Sequence, residues 1–432
     1  MILGFVDYFG TAEGESGTMQ YLYKLAASIG GQASASAFNF LLNIILIRSL
    51  QPHDFGIFAL VLIVAYFVIG IANALSIGPI AIYLPGIRSR LRMKFMTLMF
   101  IYINSLIVVA SVLIMTGGML IFAADLPLAL CAGLLVGAMT ARQFYRGMGF
   151  ARRLPNIYLG SDLIFVAGGL ALVVVPFELM ENGMGVPLIF LFLAIANLAA
   201  SVITARAMTA RILVPPRTSY LKHYRLIWRD LRWSLLGVVV WTLRLNAHSF
   251  IITYFAGAAA FAPLAAASTV FRPVGLIVTA CRSVILPDIA QFHRENKIKE
   301  LHQSTWRMVK MLVAVSILYV AAVYFSFDIL YEKLFYPKYD KDVVALAVSI
   351  LGVITIVAGC GDTLSVALGG MRAFRDLFFL GLAGTIVSVT MVTAILFLRD
   401  APTTLVGILC GELISVLLMG RYLRRKHVDA FS

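Results

Sequence analysis

The chain has 432 residues, of which 61% are hydrophobic and 13% are charged, and its mean hydropathy is +0.93. This composition excludes an ordinary soluble domain and is typical of a polytopic membrane protein. The net charge of +14 at pH 7 does not call for a nucleic-acid partner, because short cytoplasmic loops of membrane proteins collect lysine and arginine.

The chain opens with a short acidic tail, residues 1–18, in which no basic region precedes the apolar residues. We therefore expect no cleavable signal peptide. Twelve apolar segments follow, each near or above the roughly 20 residues that a helix needs to cross the hydrocarbon core. The predicted spans are 21–47, 55–84, 95–122, 126–148, 157–177, 186–208, 235–255, 261–290, 308–327, 343–369, 374–398 and 402–420.

The basic residues alternate between the two sides of the predicted membrane. Twenty-six of the 35 lysines and arginines lie in the even-numbered connections and the C-terminal tail, and only five lie in the odd-numbered connections. Under the positive-inside rule this pattern places both termini in the cytoplasm. Arg142 and Arg146, at the end of span 4, are counted here among the cytoplasmic charges.

The longest basic connection, residues 211–233, divides the chain into two halves of six spans. We predict an N-terminal lobe over 19–210, a C-terminal lobe over 234–421 and a cytoplasmic tail over 422–432. The connection itself fits either an amphipathic helix on the anionic inner leaflet or a solvated linker.

Spans 7 and 8 carry charges where a bilayer tolerates few. Arg244 lies near the middle of span 7 with Asn246 and His248, and Arg272 and Arg282 lie within span 8. A charged side chain at the centre of a span costs about 2.5–3.5 kcal/mol if it faces lipid, so we expect these arginines to face a bundle interior or a wet cavity. A cationic cavity at membrane depth would suit an anionic substrate, since arginine can grip phosphate or carboxylate oxygens with two hydrogen bonds.

Each arginine also has a plainer interpretation. Arg244 and Arg272 could each be neutralised in a structural ion pair, and Arg282 could extend toward the cytoplasmic interface. His248 could titrate near physiological pH, which makes it a further candidate for ion coupling, or could be a hydrogen-bonded packing residue.

Other polar residues lie within the spans. Spans 1 and 2 hold candidate sugar contacts that could equally form hydrogen bonds between helices, namely Asn39, Asn43, Asn73 and Ser76. Three carboxylates are candidates for coupling to H⁺ or Na⁺, namely Asp162, Asp362 and Glu412. Asp362 or Glu412 could instead neutralise an arginine.

Enzyme and metal signatures are missing from the sequence. It has no P-loop, no nucleophile elbow and no metal-ligand cluster, and its four cysteines (Cys131, Cys281, Cys360 and Cys410) are isolated in apolar segments. We therefore expect neither enzymatic activity nor a bound metal or cofactor. A polysaccharide polymerase, which would be expected to carry a large outer loop, is disfavoured.

The two halves open with related stretches. The first is R-S-L-Q-P-H-D-F-G-I-F-A-L (Arg48–Leu60), and the second is Y-F-A-G-A-A-A-F-A-P-L-A-A-A (Tyr254–Ala267). Each predicts a short outer turn that starts a helix running inward. Because each half has an even number of spans, the copies would be parallel, related by an axis along the membrane normal.

These stretches resemble the signature of the Wzx-like oligosaccharide and polysaccharide flippases. This class belongs to the MOP superfamily, which also holds the MATE drug exporters and the lipid II flippase. Gln51 and His53 depart from the commoner Gly and Glu of that signature. The resemblance implies an all-α membrane fold of twelve helices in two six-helix lobes. It also implies a cavity lined mainly by spans 1, 2, 7 and 8, where Arg244, Arg272 and Arg282 fall.

The resemblance further implies a bacterial inner-membrane flippase. Such a protein would move undecaprenyl-diphosphate-linked oligosaccharide by alternating access, with the lipid-linked glycan, membrane lipids and other polysaccharide-assembly proteins as partners. The alternatives are a MATE-like drug or cation antiporter and a peptidoglycan lipid II flippase.

Overall fold

The computed structural model describes residues 15–83, 89–122, 124–152, 154–176, 184–208, 218–295, 297–371 and 373–429. Throughout these ranges the regular structure is helical, and no β-strand occurs in them. The predicted all-α fold class is confirmed.

The helices are numbered in chain order. They are α1 (Glu15–Ser49), α2 (Pro52–Ala72), α3 (Gly78–Tyr83), α4 (Arg90–Ile121), α5 (Leu126–Ala151), α6 (Pro155–Gly169), α7 (Val186–Ala207), α8 (Thr218–Ala256), α9 (Ala258–Val270), α10 (Arg272–Arg294), α11 (Ile298–Phe325), α12 (Phe327–Leu330), α13 (Lys341–Gly370), α14 (Phe374–Leu398) and α15 (Leu405–Asp429). Three π-helical segments (Asn73–Ile77, Leu170–Val174 and Tyr331–Phe335) and a 3₁₀ turn (Ala401–Thr404) complete the regular structure of the described residues.

Eleven stretches of the described chain are long and apolar enough to cross a membrane, and a bent helix pair makes a twelfth. They follow the order of the predicted spans. The chain is therefore a multi-pass membrane protein. The N-terminal tail predicted at 1–18 lies largely outside the described residues, and α1 already begins at Glu15.

Span 8 is not the continuous helix that the sequence predicted over 261–290. It breaks at Phe271, and the two parts, Ala258–Val270 and Arg272–Val278, are bent by 49°. The break has a local cause, because Pro273 has no N–H to donate and its ring disturbs the preceding turn. The carbonyl oxygen of Val270 instead accepts a hydrogen bond from the Tyr319 hydroxyl on α11 at 2.7 Å.

The second half of the predicted cytoplasmic connection is helical. Residues 218–233 form the first part of α8, which continues into span 7 without interruption, whereas residues 209–217 lie outside the described chain. Tyr220 and Tyr224 are buried on this segment, and the Tyr224 hydroxyl donates to the Leu75 carbonyl at 2.8 Å. Residues 218–233 are thus helical and partly buried, whereas the predicted contact of an amphipathic helix with lipid stays a prediction.

The helices group into two compact units. One contains Met1–Asn39 and Ala72–Arg225, and the other contains Phe40–Ile71 and Leu226–Ser432. The border differs from the predicted lobes in that residues 40–71 group with the C-terminal half. Backbone packing explains this grouping, since a Cβ at Gly70 would lie 2.8 Å from a methyl of Val238 and Gly56 touches Ala258.

Small residues bring α14 and α15 into backbone contact within the second unit. A Cβ added at Gly411 would lie 2.6 Å from the Gly384 carbonyl oxygen, and one at Gly384 would overlap the Ser415 hydroxyl. Helix α8 joins this pair through the hydroxyl of Ser388, which donates to the Arg244 carbonyl at 3.1 Å. Close approach through small residues is the usual way in which membrane helices associate.

Candidate substrate site and the buried charges

Arg244 of span 7 forms an ion pair inside the second unit. Its Nε lies 2.6 Å from Oε1 of Glu412 on α15, and its Nη1 donates to the Ser415 hydroxyl at 3.0 Å. The two charged side chains are 4% and 1% exposed. The attraction between a buried carboxylate and a guanidinium in direct contact offsets the desolvation cost of both charges. This contact allows both groups to stay charged in a low-dielectric interior.

Two residues that the sequence assigned to different roles are therefore partners. Arg244 was predicted to bind substrate and Glu412 to couple transport to an ion. Their geometry matches the alternative in which a carboxylate neutralises the arginine. Substrate binding by Arg244 stays a prediction, and it would require the guanidinium to leave or share its carboxylate.

Asp162 lies in a second ion-pair cluster, within the first unit. Its Oδ1 accepts from Nη1 of Arg142 at 3.1 Å and its Oδ2 accepts from Nε of Arg146 at 2.9 Å. Arg142 also donates to Asn197 at 2.9 Å, and Arg146 donates to Gln32 on α1 at 2.8 Å. This carboxylate, only 1% exposed, thus accepts from two guanidiniums.

The sequence analysis missed the role of these two arginines. They are not loop charges: both lie within α5, their side chains are 6% and 12% exposed, and each also stacks on a ring, Arg142 over Phe165 at 4.0 Å and Arg146 over Phe150 at 4.9 Å. Their spacing of four residues was the available signal, because it places both guanidiniums on one helix face. Asp162, predicted within span 5, then supplies the opposite charge.

Arg272 has a different environment. It is the first residue of α10, directly after the break in span 8, and its side chain is half-buried. Within the described part of the chain, no carboxylate lies within ion-pair distance of its guanidinium and no hydrogen bond to it is formed. The hydroxyl of Tyr66, on α2 of the same unit, is close enough to interact with it electrostatically.

The position of Arg272 adds a second source of positive charge. The first N–H groups of a helix have no partner within that helix, and they carry the positive end of the helix dipole. The positive end of the α10 dipole and the Arg272 guanidinium therefore lie together within a span, where Pro273 has no N–H and the Val274 N–H donates to the Phe271 carbonyl at 3.1 Å. Discontinuous membrane helices commonly present such ends to anionic groups.

The remaining predicted residues are dispersed. Asn246 donates to the Thr242 carbonyl at 3.2 Å, and His248 lies 3.2 Å from the Ser249 hydroxyl. Asn43 is buried, Asn39 is half-buried, Asn73 is exposed in the π-helical segment, and Ser76 donates to Asn104 at 3.2 Å. Asp362 is half-buried in α13, and the side chain of Arg282 lies outside the described residues.

Sequence comparisons give no relative. No family model matches the chain, and no curated protein does. The described residues contain no group of three His, Cys, Asp or Glu side chains that could hold a metal ion.

Solved structures, in contrast, match over almost the whole chain. A multidrug resistance MATE family transporter of the MOP superfamily in an inward-facing conformation aligns with a TM-score of 0.69 at 13% identity, covering 92% of this chain and 95% of its own. An outward-facing transporter of the same description gives 0.60 at 15% identity, covering 97% of both chains. A MATE protein in the bent conformation gives 0.60 at 14% identity, covering 96% of both chains.

The chain has the fold of the MATE transporters. The MATE fold confirms the predicted architecture of two six-helix lobes. At 13–15% identity the likeness concerns the fold alone.

Proposed function

We propose that this MATE-fold protein is a flippase that moves undecaprenyl-diphosphate-linked oligosaccharide units across the bacterial inner membrane for polysaccharide synthesis. The neighbours with inward-facing and outward-facing forms support transport by alternating access. The choice of substrate depends on charge. A diphosphate head group cannot cross about 30 Å of hydrocarbon unless a polar path offers it positive charge.

One observation carries the proposal. Arg272 is half-buried at the start of a broken span, and in the described chain no carboxylate neutralises it. An unneutralised guanidinium at the N-terminal end of a helix, where the helix dipole is positive, fits a phosphate and repels a cation. In this proposal Arg272 holds the diphosphate, and the polar residues of spans 1, 2 and 7 contact the sugars.

The alternative is a MATE-like drug or cation antiporter, as the neighbours with this fold are described. A cation carrier needs negative charge that its cargo can reach. Two of the three candidate coupling carboxylates, Asp162 and Glu412, are already paired with arginines and almost fully buried. This pairing favours an anionic substrate. Coupling to H⁺ or Na⁺ stays a proposal, with Asp162, Asp362, Glu412 and His248 as its candidate residues.

The first experiment replaces Arg272. Arg272→Ala should lower glycan export about tenfold or more, since the lost contact is a hydrogen bond between charged groups. Arg272→Lys should restore export only in part, because an ammonium cannot bind two phosphate oxygens in the planar geometry of a guanidinium. Polymer output is measured against the amount of protein in the membrane.

Arg399→Ala is the matched control, because Arg399 is exposed and lies between α14 and α15. Normal export by Arg272→Ala would contradict the assigned role. Chemical identification of the lipid that accumulates when the gene is deleted separates the candidate substrates. A lipid-linked oligosaccharide supports the proposal, a muropeptide-bearing lipid indicates a lipid II flippase, and no lipid-linked precursor indicates a drug exporter.

A further inference from the structure

The turn between α1 and α2 touches the start of α9 backbone to backbone. A Cβ added at Gly56 would overlap the carbonyl oxygen of Ala258 and would lie 3.2 Å from the Ala258 Cβ. Gly56 is an ordinary helical residue, so its backbone conformation does not require glycine. Close approach is therefore the reason for the missing side chain.

A second contact holds the same turn at a different point. The Nζ of Lys338, in the connection before α13, donates to the Leu50 carbonyl at 2.7 Å. This carbonyl belongs to the residue that follows α1, so the lysine caps the end of that helix. Burial lowers the pKa of the Lys338 ammonium, which indicates that the group has given up hydration to reach the carbonyl.

Both contacts join the first copy of the internal repeat to the C-terminal half of the chain. Gly56 lies in the first copy, Arg48–Leu60, and Ala258 lies in the second, Tyr254–Ala267. Phe55 and Phe261 flank the contact and are almost completely buried. These contacts help to group residues 40–71 with the C-terminal half, although the sequence assigns them to the N-terminal lobe.

We propose that Gly56, Ala258 and Lys338 form a gate on the outer side of the membrane, which is closed in this structure and opens when the α1–α2 turn leaves α9. This inference rests on the proposed function, because a flippase with alternating access must open on the outer side. The charge pattern of the connections places this turn there.

The chemistry suits a contact that must form and break repeatedly. The approach of Gly56 to Ala258 is a steric fit between small groups, so separation breaks no ion pair. The hydrogen bond from Lys338 can be exchanged for one to water when the turn moves away. Gly56 therefore permits closure, and Lys338 favours the closed form.

Distance measurement by electron–electron resonance tests the gate in protein reconstituted into nanodiscs. Spin labels at His53→Cys and Ala259→Cys, both exposed positions on the two sides of the contact, are introduced after the native cysteines have been replaced. The parent protein should show a short-distance component. Gly56→Val should reduce the population of that component about fivefold or more, because its side chain cannot fit beside Ala258.

Lys338→Gln should shift the population in the same direction without adding bulk, which separates gating from a local clash. Two controls match these variants. A Cβ at Gly118 meets nothing within 4 Å, and Lys333 is an exposed lysine of the same outer segment, so Gly118→Val and Lys333→Gln should leave the distribution unchanged. Monodisperse elution shows that each variant is folded.

An unchanged distribution in either Gly56→Val or Lys338→Gln overturns the gate. The measurement contains no substrate, so it can fail or succeed independently of the lipid that accumulates in the deletion strain. The expected distance changes without a lipid-linked precursor would indicate a gated drug exporter. A lipid-linked oligosaccharide without those distance changes would indicate a glycan flippase that lacks this gate.

Discussion

Buried guanidiniums of the membrane spans occur in two kinds of surroundings. Arg142, Arg146 and Arg244 each face a carboxylate within 3.1 Å, and these pairs lie inside one unit or the other. Arg272 faces none in the described chain. A neutralised arginine can fasten helices together, whereas one without a counter-charge keeps its positive charge available for a ligand. This contrast is the reason for proposing Arg272 first as the residue that binds a diphosphate.

The pair formed by Arg244 and Glu412 should contribute to stability in a way that a single substitution exposes. Arg244→Ala leaves a buried carboxylate without a counter-charge, so we expect a loss of about 3–5 kcal/mol in the free energy of unfolding. Arg244→Met combined with Glu412→Gln removes both charges and should recover most of that loss. Denaturation of the purified protein in detergent measures both changes.

The double variant also separates the two roles of Arg244. A stable double variant that still exports glycan would mean that the pair is structural. A stable double variant that exports none would show that the pair takes part in transport, through substrate binding by Arg244 or ion coupling by Glu412. Stability of Arg244→Ala equal to that of the unmodified protein would contradict the ion pair itself.

Helices α1 and α6 approach each other at Gly31. A Cβ added there would lie 2.7 Å from Oδ2 of Asp162, the same oxygen that accepts from Arg146, whereas one at Gly30 meets nothing within 4 Å. The missing side chain at Gly31 therefore allows span 1 to pass close to the ion-pair cluster of the first unit.

These adjacent glycines provide a matched pair for measuring that approach. Gly31→Ala should destabilise the protein by about 1–3 kcal/mol, because the methyl group pushes the Asp162 carboxylate away from Arg146. Gly30→Ala should be neutral or stabilising by up to about 1 kcal/mol, since alanine favours the helix. The free energies of unfolding of the two variants are compared. If both alanines have the same effect, the close approach of α1 to Asp162 is refuted.

The break in span 8 gives Arg272 its setting. In one continuous helix the N–H groups around residue 272 would all bond to the preceding turn. Pro273 interrupts that ladder. The Val274 N–H donates to the Phe271 carbonyl at 3.1 Å, and the Val270 carbonyl accepts from the Tyr319 hydroxyl instead. The proline thus produces a helix start at membrane depth, and the arginine is the first residue of that helix.

At the scale of the molecule, the charge pattern predicts that the odd-numbered connections lie on the outer side of the membrane and that the C-terminal tail lies on the cytoplasmic side. In a cysteine-free chain, a single cysteine at Arg399 should react with an impermeant maleimide added to intact cells, and one at Arg425 should react only after permeabilisation. A shift in gel mobility after labelling measures the reaction of each cysteine variant. Equal labelling of Arg425→Cys in intact cells would contradict cytoplasmic termini.

The sequence by itself determined the number and order of the spans. Each span is a continuous stretch, and its length and hydropathy can be read without knowing which helices pack against it. It also identified Arg244, Arg272, Asp162 and Glu412 as polar residues that must avoid lipid. It mistook Arg142 and Arg146 for loop charges, since the positive-inside rule counts residues near span ends without regard to what they contact.

Only the tertiary structure decided which charges are partners. Arg244 and Glu412 are 168 residues apart, and Arg142 and Asp162 are 20 apart on different helices, so no local pattern connects them. It also decided that span 8 is broken at Phe271, that residues 40–71 pack with the C-terminal half, and that Arg272 has no carboxylate among its described neighbours. The physical reason is that a buried charge is neutralised by whichever helix packs against it, and helix packing depends on the whole chain.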